Sequence, residues 1–139
     1  MSVRRAGAAD AAALAALLAE LGYATAPADV EARLTETTAL VAELDGEVAA
    51  ALTLSIVPVV HEPGGWCRIT MLVVAERARR QGLARTLVAE AEDIARDRGC
   101  GRIEVTSALH RDGAHEFYRG MGYGQVSEHF LKPLAGAHG

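Results

Sequence analysis

A chain of 139 residues, half of them apolar, is long enough for one well-buried core and too short for two ordinary domains, so a single domain over residues 1–139 is expected. Its formal net charge of −4 and isoelectric point near 5.7 argue against a general nucleic-acid binder. No apolar core region follows Arg4 and Arg5, and Asp10 and Glu20 fall in the Ala/Leu-rich stretch beyond, so neither a signal peptide nor a membrane span is expected. Cys67 and Cys100 lack metal-ligand spacing, so no bound metal is expected; the two thiols could pair, but without an export signal reduced thiols and a cytoplasmic protein are the preferred reading.

Ser2 to Ala6 reads as a first strand. Asp10 is placed to cap a helix through about Leu21, with Leu14, Leu17, Leu18 and Leu21 on one face and Gly22 after its end. Pro27 suits the first turn of a second helix reaching about Thr37. Ala39 to Leu44 and Glu47 to Val60 form a hairpin around Asp45-Gly46. Pro58, His61, Glu62, Pro63, Gly64 and Gly65 read as a break and a loop, after which Trp66 to Val74 is the next strand.

From Thr70 to Ala84 the sequence changes character twice. A β-branched run ending at Val74 gives way to a loop carrying Arg77, Arg79 and Arg80, and Gly82 then opens an amphipathic helix to Arg98. Leu83, Leu87, Val88, Ala91, Ile94 and Ala95 line its apolar side, and Gly99 closes it. Arg102 to Ser107 alternates as a strand, so the strand-helix-strand order predicts a parallel pair with a right-handed crossover. Asp112 is placed to cap a further helix ending at Gly122, and Tyr123 to Leu134 is expected to return as a last strand. The whole is a mixed α/β (α+β) sheet with helices on both faces.

The first N–H groups of a helix have no intrahelical partner and sit at the positive end of its dipole, which suits a phosphate. The sequence V-x-x-x-x-R-x-x-G-x-A, at Val74, Arg79, Gly82 and Ala84, resembles the acetyl-CoA motif of the GNAT family of N-acetyltransferases. A second segment, A-H-E-F-Y-R-G-M-G-Y from Ala114 to Tyr123, resembles that family's downstream helix. The resemblance extends loosely over nearly the whole chain. It implies the single-domain GNAT fold, with acetyl-CoA as co-substrate in a cleft between two splayed parallel strands, those ending at Val74 and near Ser107.

Residue by residue, the resemblance implies that amides of Arg80, Gln81, Gly82, Leu83 and Ala84 hold the pyrophosphate, bordered by Arg79. Backbone at Leu72, Val73 and Val74 would receive pantetheine and polarise the thioester carbonyl. Tyr118 matches the position of the general acid that protonates the departing thiolate, although aromatics at helical spacing such as Phe117 and Tyr118 also simply pack. The acceptor would be a primary amine, of a small molecule or else of a peptide or protein, attacking directly in a ternary complex. The acceptor groove would be built from the first two helices, the His61 to Gly65 loop and the last strand, with Asp29, Glu31, Glu62 and Trp66 as contributors. The last strand also permits a homodimer.

Some residues depart from the family pattern. Glu76 stands where a Pro is usual, and an acid there must point away from phosphate. Arg111 replaces a frequent Asn seven residues before Tyr118, and either contacts the cofactor or caps a helix; His115 reads as a packing residue. Arg68 and Thr70 occupy the region where some members carry a basic carboxylate. His61, His110 and Glu62 are better read as ordinary surface residues, so no general base is assigned. That gap keeps open a non-catalytic acyl-CoA sensor or interaction module with the same fold. A dinucleotide-binding domain is the weaker rival, since no G-x-G-x-x-G follows the first strand and Lys132 is the only lysine.

Overall fold

The structure, a computed structural model, describes residues 1–106, 113–126 and 130–134. It comprises two compact units, Met1–Ser107 and Ala108–Gly139, each considered by itself.

The first unit is organised on five strands lying side by side in chain order: β1 (Ser2–Arg5), β2 (Thr38–Leu44), β3 (Glu47–Val59), β4 (Glu62–Val74) and β5 (Arg102–Val105). The first four pair antiparallel and β5 runs parallel to β4, as the strand-helix-strand order requires. Residues 39–42 and 49–52 are buried in unbroken runs. Side chains alternate between the faces of a strand, so such runs mean that both faces are covered. The covering comes from α1 (Ala11–Glu20), which packs on α2 (Pro27–Arg33), β3 and β4, and from α3 (Leu83–Asp97), which packs on β2 to β5. Leu83, Leu87, Val88, Ala91 and Ala95 are the buried stripe of α3, the spacing of one helical face.

Asp45 and Gly46 both adopt positive φ, 54° and 81°, the turn that a D-G pair favours between twisted strands. Elsewhere the local signals needed correction. Asp10 does not cap α1; it ends a short 3-10 turn, and its carboxylate reaches back to the Gly7 N–H at 2.8 Å and to Arg4 Nη1 and Nη2 at 2.9 Å each. The second helix stops at Arg33 rather than Thr37, where the Thr35 hydroxyl donates to the Ala32 carbonyl at 2.9 Å and competes with the helical ladder.

The expected loop over residues 58–65 is a two-residue turn at Val60 and His61, because Val59 pairs with Glu62. Gly64 and Gly65 belong to β4, with φ of 78° and 69°. A Cβ on Gly65 would strike the Val57 carbonyl, and one on Gly64 the Gly99 carbonyl. These glycines serve close backbone approach, not a turn; the Gly101 N–H donates to the Gly65 carbonyl at 3.0 Å beside them.

The second unit holds α4 (Ala114–Gly120), preceded by Gly113 in the left-handed conformation, and ending two residues before the expected Gly122. Asp112 and Ser107 lie outside the described residues. Of the expected last strand, the described residues 123–126 and 130–134 carry no strand, and Val126, Phe130, Leu131 and Leu134 are exposed. A strand persists only against a neighbouring ladder; among the described residues none accompanies this segment, and Pro133 lacks an N–H to give one. The homodimer expectation rested on that strand. No helix among the described residues is long and apolar enough to cross a membrane.

Candidate functional site

Toward the C-terminal end of β4 its pairing with β5 stops among the described residues. β4 and β5 pair from Trp66↔Arg102 to Ile69↔Val105, and among the described residues the ladder goes no further, while β4 continues to Val74 against β3. The Ala75 N–H donates to the Ala49 carbonyl at 2.8 Å. Backbone groups alternate in direction along a strand, so Val73 and Met71 also turn their N–H and C=O toward β3, whereas those of Leu72 and Val74 face the β5 side. Thr70 sits at the fork as an extra residue, since Met71 pairs with Thr53 and Ile69 with Leu54; its hydroxyl lies 2.7 Å from that of Thr53.

The strand leads through a 3-10 turn (Glu76–Ala78) to residues 79–82 and then α3. Arg80 and Gly82 both take left-handed conformations, φ 66° and 81°. This alternation folds the chain so that successive N–H groups converge, a backbone arrangement that receives anions. Among the described residues no backbone acceptor is found for the amides of Arg80, Gln81, Gly82, Leu83, Ala84 and Arg85; the first helical bond is that of Thr86 to the Gly82 carbonyl at 3.1 Å. The sequence-predicted loop residues are thus brought into one cradle at the positive end of a 15-residue helix.

The arginines of the loop divide. Arg77 turns away, to the Val48 carbonyl at 3.3 Å and to Glu47 at 3.6 Å. Arg79, Arg80 and Arg85 are exposed and make no ion pair among the described residues. The Glu76 N–H donates to Glu20 Oε1 at 2.9 Å, bringing the end of α1 beside the end of β4. Glu20 escaped sequence reasoning because it lies 56 positions away.

Two other features bear on acceptor chemistry. Glu104 pairs in register with Arg68, one step before the fork, and its Oε1 accepts from Arg68 Nε at 3.0 Å and Nη2 at 2.8 Å. Its Oε2 has no partner among the described residues, and its side chain is 29% exposed. Sequence reasoning passed over this carboxylate because it stands on β5, where nothing but the strand register shows it facing Arg68. By contrast His61, Glu62 and Trp66 gather at the opposite end of β4. Trp66 Nε1 donates to Glu62 Oε2 at 2.9 Å, and the Arg102 guanidinium lies 3.4 Å over the indole. Glu62 and Leu72 are ten strand positions apart, roughly 30 Å at the usual rise, so the expected acceptor role of this segment is withdrawn.

Burial, with Cys100 nearby, pushes the Cys67 thiol up to about 11, which removes it as a nucleophile. In the second unit Tyr118 is half-buried on α4, its ring edge-on to Phe117 at 5.1 Å and to Tyr123 at 5.9 Å. Arg111 lies outside the described residues. Among those residues no group of three or more His, Cys, Asp or Glu is arranged to hold a metal ion.

Among known proteins, the chain is 31% identical over 96 residues to N-acetyltransferase 8 of Rattus norvegicus and 33% identical over 90 residues to the aminoalkylphosphonate N-acetyltransferase of Salmonella typhimurium. These matches cover 68% and 65% of this chain but 42% and 58% of those proteins, so the chain spans about half the length of the curated relatives it matches. A solved structure of a candidate acetyltransferase from Agrobacterium tumefaciens str. C58 superposes with a TM-score of 0.85 at 27% identity, covering 96% of this chain and 100% of that one. The family model for the Acetyltransferase (GNAT) family matches residues 11–123, taking in both the strand, loop and helix at the cradle and α4. On that match the chain belongs to the GNAT family of acetyltransferases.

Proposed function

We propose that this chain transfers an acetyl group from acetyl-CoA to a primary amine of a small molecule, by direct attack within a ternary complex. The observation that carries the reading is the run of amides at residues 80–85 with no backbone acceptor among the described residues, following a β4 edge at Leu72 and Val74 with no ladder partner among those residues. The amides suit the pyrophosphate, flanked by Arg79, Arg80 and Arg85. That edge suits pantetheine, which can pair with Leu72 and Val74 as a further strand would, with Val73 behind them. The whole chain acts as one catalytic domain, a reading supported by the family match across both compact units. A relative named for aminoalkylphosphonates supports a small amine over a protein substrate.

In this reading the amine nitrogen attacks the thioester carbonyl carbon, a C–N bond forms, and the C–S bond breaks with its electron pair left on sulfur. A backbone N–H at the fork stabilises the oxyanion. Tyr118 gives its proton to the thiolate and is restored, through water, by the proton the nitrogen sheds as the amide forms, an assignment supported by its place in the A-x-x-F-Y pattern. An alkylammonium with pKa about 10 must first lose a proton, and Glu104, whose Oε2 has no partner among the described residues, is a carboxylate placed by strand register to receive it through water. Reaction in the cytoplasm accords with two free thiols and an acetyl-CoA donor.

One observation favours the sensor reading: Arg68 and Thr70, rather than an acid, lead up to the fork on β4. An amine panel with acetyl-CoA, followed by thiol release, separates the two. Saturable thiol release with matching acetylated product supports the enzyme. Binding of acetyl-CoA with no turnover on any amine supports the sensor.

A further inference from the structure

We infer that Glu20 is a positioning residue for the cofactor loop, fixing its entrance by accepting the Glu76 N–H; this rests on the acetyl-CoA reading above. Glu76, unlike a proline, carries a backbone N–H at the point where the chain leaves β4, and Glu20 Oε1 accepts it at 2.9 Å.

The remaining ties at this entrance come from the sheet or from the turn itself. Ala75 donates to Ala49, Ala78 donates to Ala75, and Arg77 reaches Val48. Among the described residues Glu20 makes the one side-chain hydrogen bond from α1 to the segment between β4 and α3. Its position at the last residue of α1 connects the loop to residues 21–26, which lead to α2. A free Glu76 N–H would be satisfied by water, leaving the turn to sample other conformations and the cradle of residues 80–85 less often in its anion-receiving shape. Glu20 therefore acts through the loop backbone, without contact with the cofactor.

The test is a cycle of Glu20→Ala, Glu20→Gln, Glu76→Pro and the double variant Glu20→Ala/Glu76→Pro. Ala75 has ψ of 140°, the extended conformation that a following Pro requires, so Glu76→Pro fits the turn. Calorimetric titration with CoA should show Glu20→Ala weakening binding roughly fivefold to tenfold, the loss of one hydrogen bond to a charged acceptor. Glu20→Gln keeps an acceptor oxygen and should stay within about twofold of the parent. In the Glu76→Pro background, Glu20→Ala should change nothing. Equal weakening with and without Pro at residue 76, or unchanged affinity in a folded Glu20→Ala protein, overturns the assignment. Amide hydrogen exchange of the apo protein gives a second readout: the residue 76 amide should lose protection in Glu20→Ala and keep it in Glu20→Gln, and unchanged protection also overturns it. A parent protein that binds no CoA would refute the acetyl-CoA reading, while the exchange result would still decide the role of Glu20.

Discussion

Replacement of Gly82 by Val strikes the cradle without touching any side chain. Gly82 caps α3 at φ 81° and ψ 9°, and a Cβ there would meet nothing within 4 Å. The penalty is therefore conformational: a side chain in the left-handed region costs about 1–2 kcal/mol, with a β-branched residue at the upper end. Thermal unfolding should record this as a fall in Tm of roughly 3–8 °C. Ligand affinity should fall as well. Relief of the strain rotates residue 82 out of the left-handed region and turns its amide and its neighbour's away from the anion. Binding must then either forgo those hydrogen bonds or restore the strain, so the loss is bounded by the strain of about 1–2 kcal/mol and the Kd for CoA should rise roughly 5-fold to 30-fold. Gly82→Ala should fall between Val and the parent. CoA affinity unchanged in Gly82→Val, with Tm lowered as expected, would refute the claim that these amides hold the cofactor.

Further outcomes follow from the same account. Tyr118→Phe should lower kcat roughly 100-fold, the low end for general-acid catalysis because a thiolate leaves readily, with CoA affinity nearly unchanged; steady-state kinetics with unaltered kcat would remove Tyr118 from the mechanism. Glu104→Gln should lower kcat/KM for the amine roughly 100-fold, the low end for general-base catalysis, while leaving CoA binding intact, and an unchanged kcat/KM would dismiss it. The Arg4 guanidinium, and secondarily the Gly7 N–H, hold the Asp10 carboxyl below the usual carboxylate range despite its burial. Its folded pKa thus lies below its unfolded one, so the stabilisation is complete above the unfolded value of about 3.9 and is lost as pH falls through the folded value. Unfolding scans between pH 6 and about 2.5 should show a steeper acid loss for the parent than for Asp10→Asn, and parallel profiles would contradict this.

The parts of the fold legible in sequence were those set by neighbours a few positions apart. The Asp45-Gly46 hairpin, the α3 stripe from Leu83 to Ala95 and the β4-loop-α3 order all rest on local turn chemistry and periodicity, and tertiary packing reinforces them. Errors arose where one residue type serves two purposes. Pro58, Pro63, Gly64 and Gly65 carry the composition of a loop, yet the ladder runs through them, because Val57 and Gly99 press against the glycine backbones. Asp10 has the right residue type for a cap, but the Arg4 guanidinium offers its carboxylate a stronger partner. At the site, the motif singles out residues 80–84 and Leu72 to Val74, which stand at the start of α3 and the end of β4. The bond from Glu20 to Glu76 and the pairing of Arg68 with Glu104 were not legible, because strand register and helix placement bring together residues that are 56 and 36 positions apart.

The central claim is that residues 80–85 and the β4 edge form an acetyl-CoA site, and calorimetric titration of the purified protein with acetyl-CoA, beside CoA, ATP and NAD, tests it most directly. The account predicts saturable one-to-one binding of acetyl-CoA and of CoA, and weaker binding of ATP and NAD, which offer phosphates but no pantetheine for the strand edge. Absence of acetyl-CoA binding by a folded protein, or equal affinity for all four ligands, would contradict it.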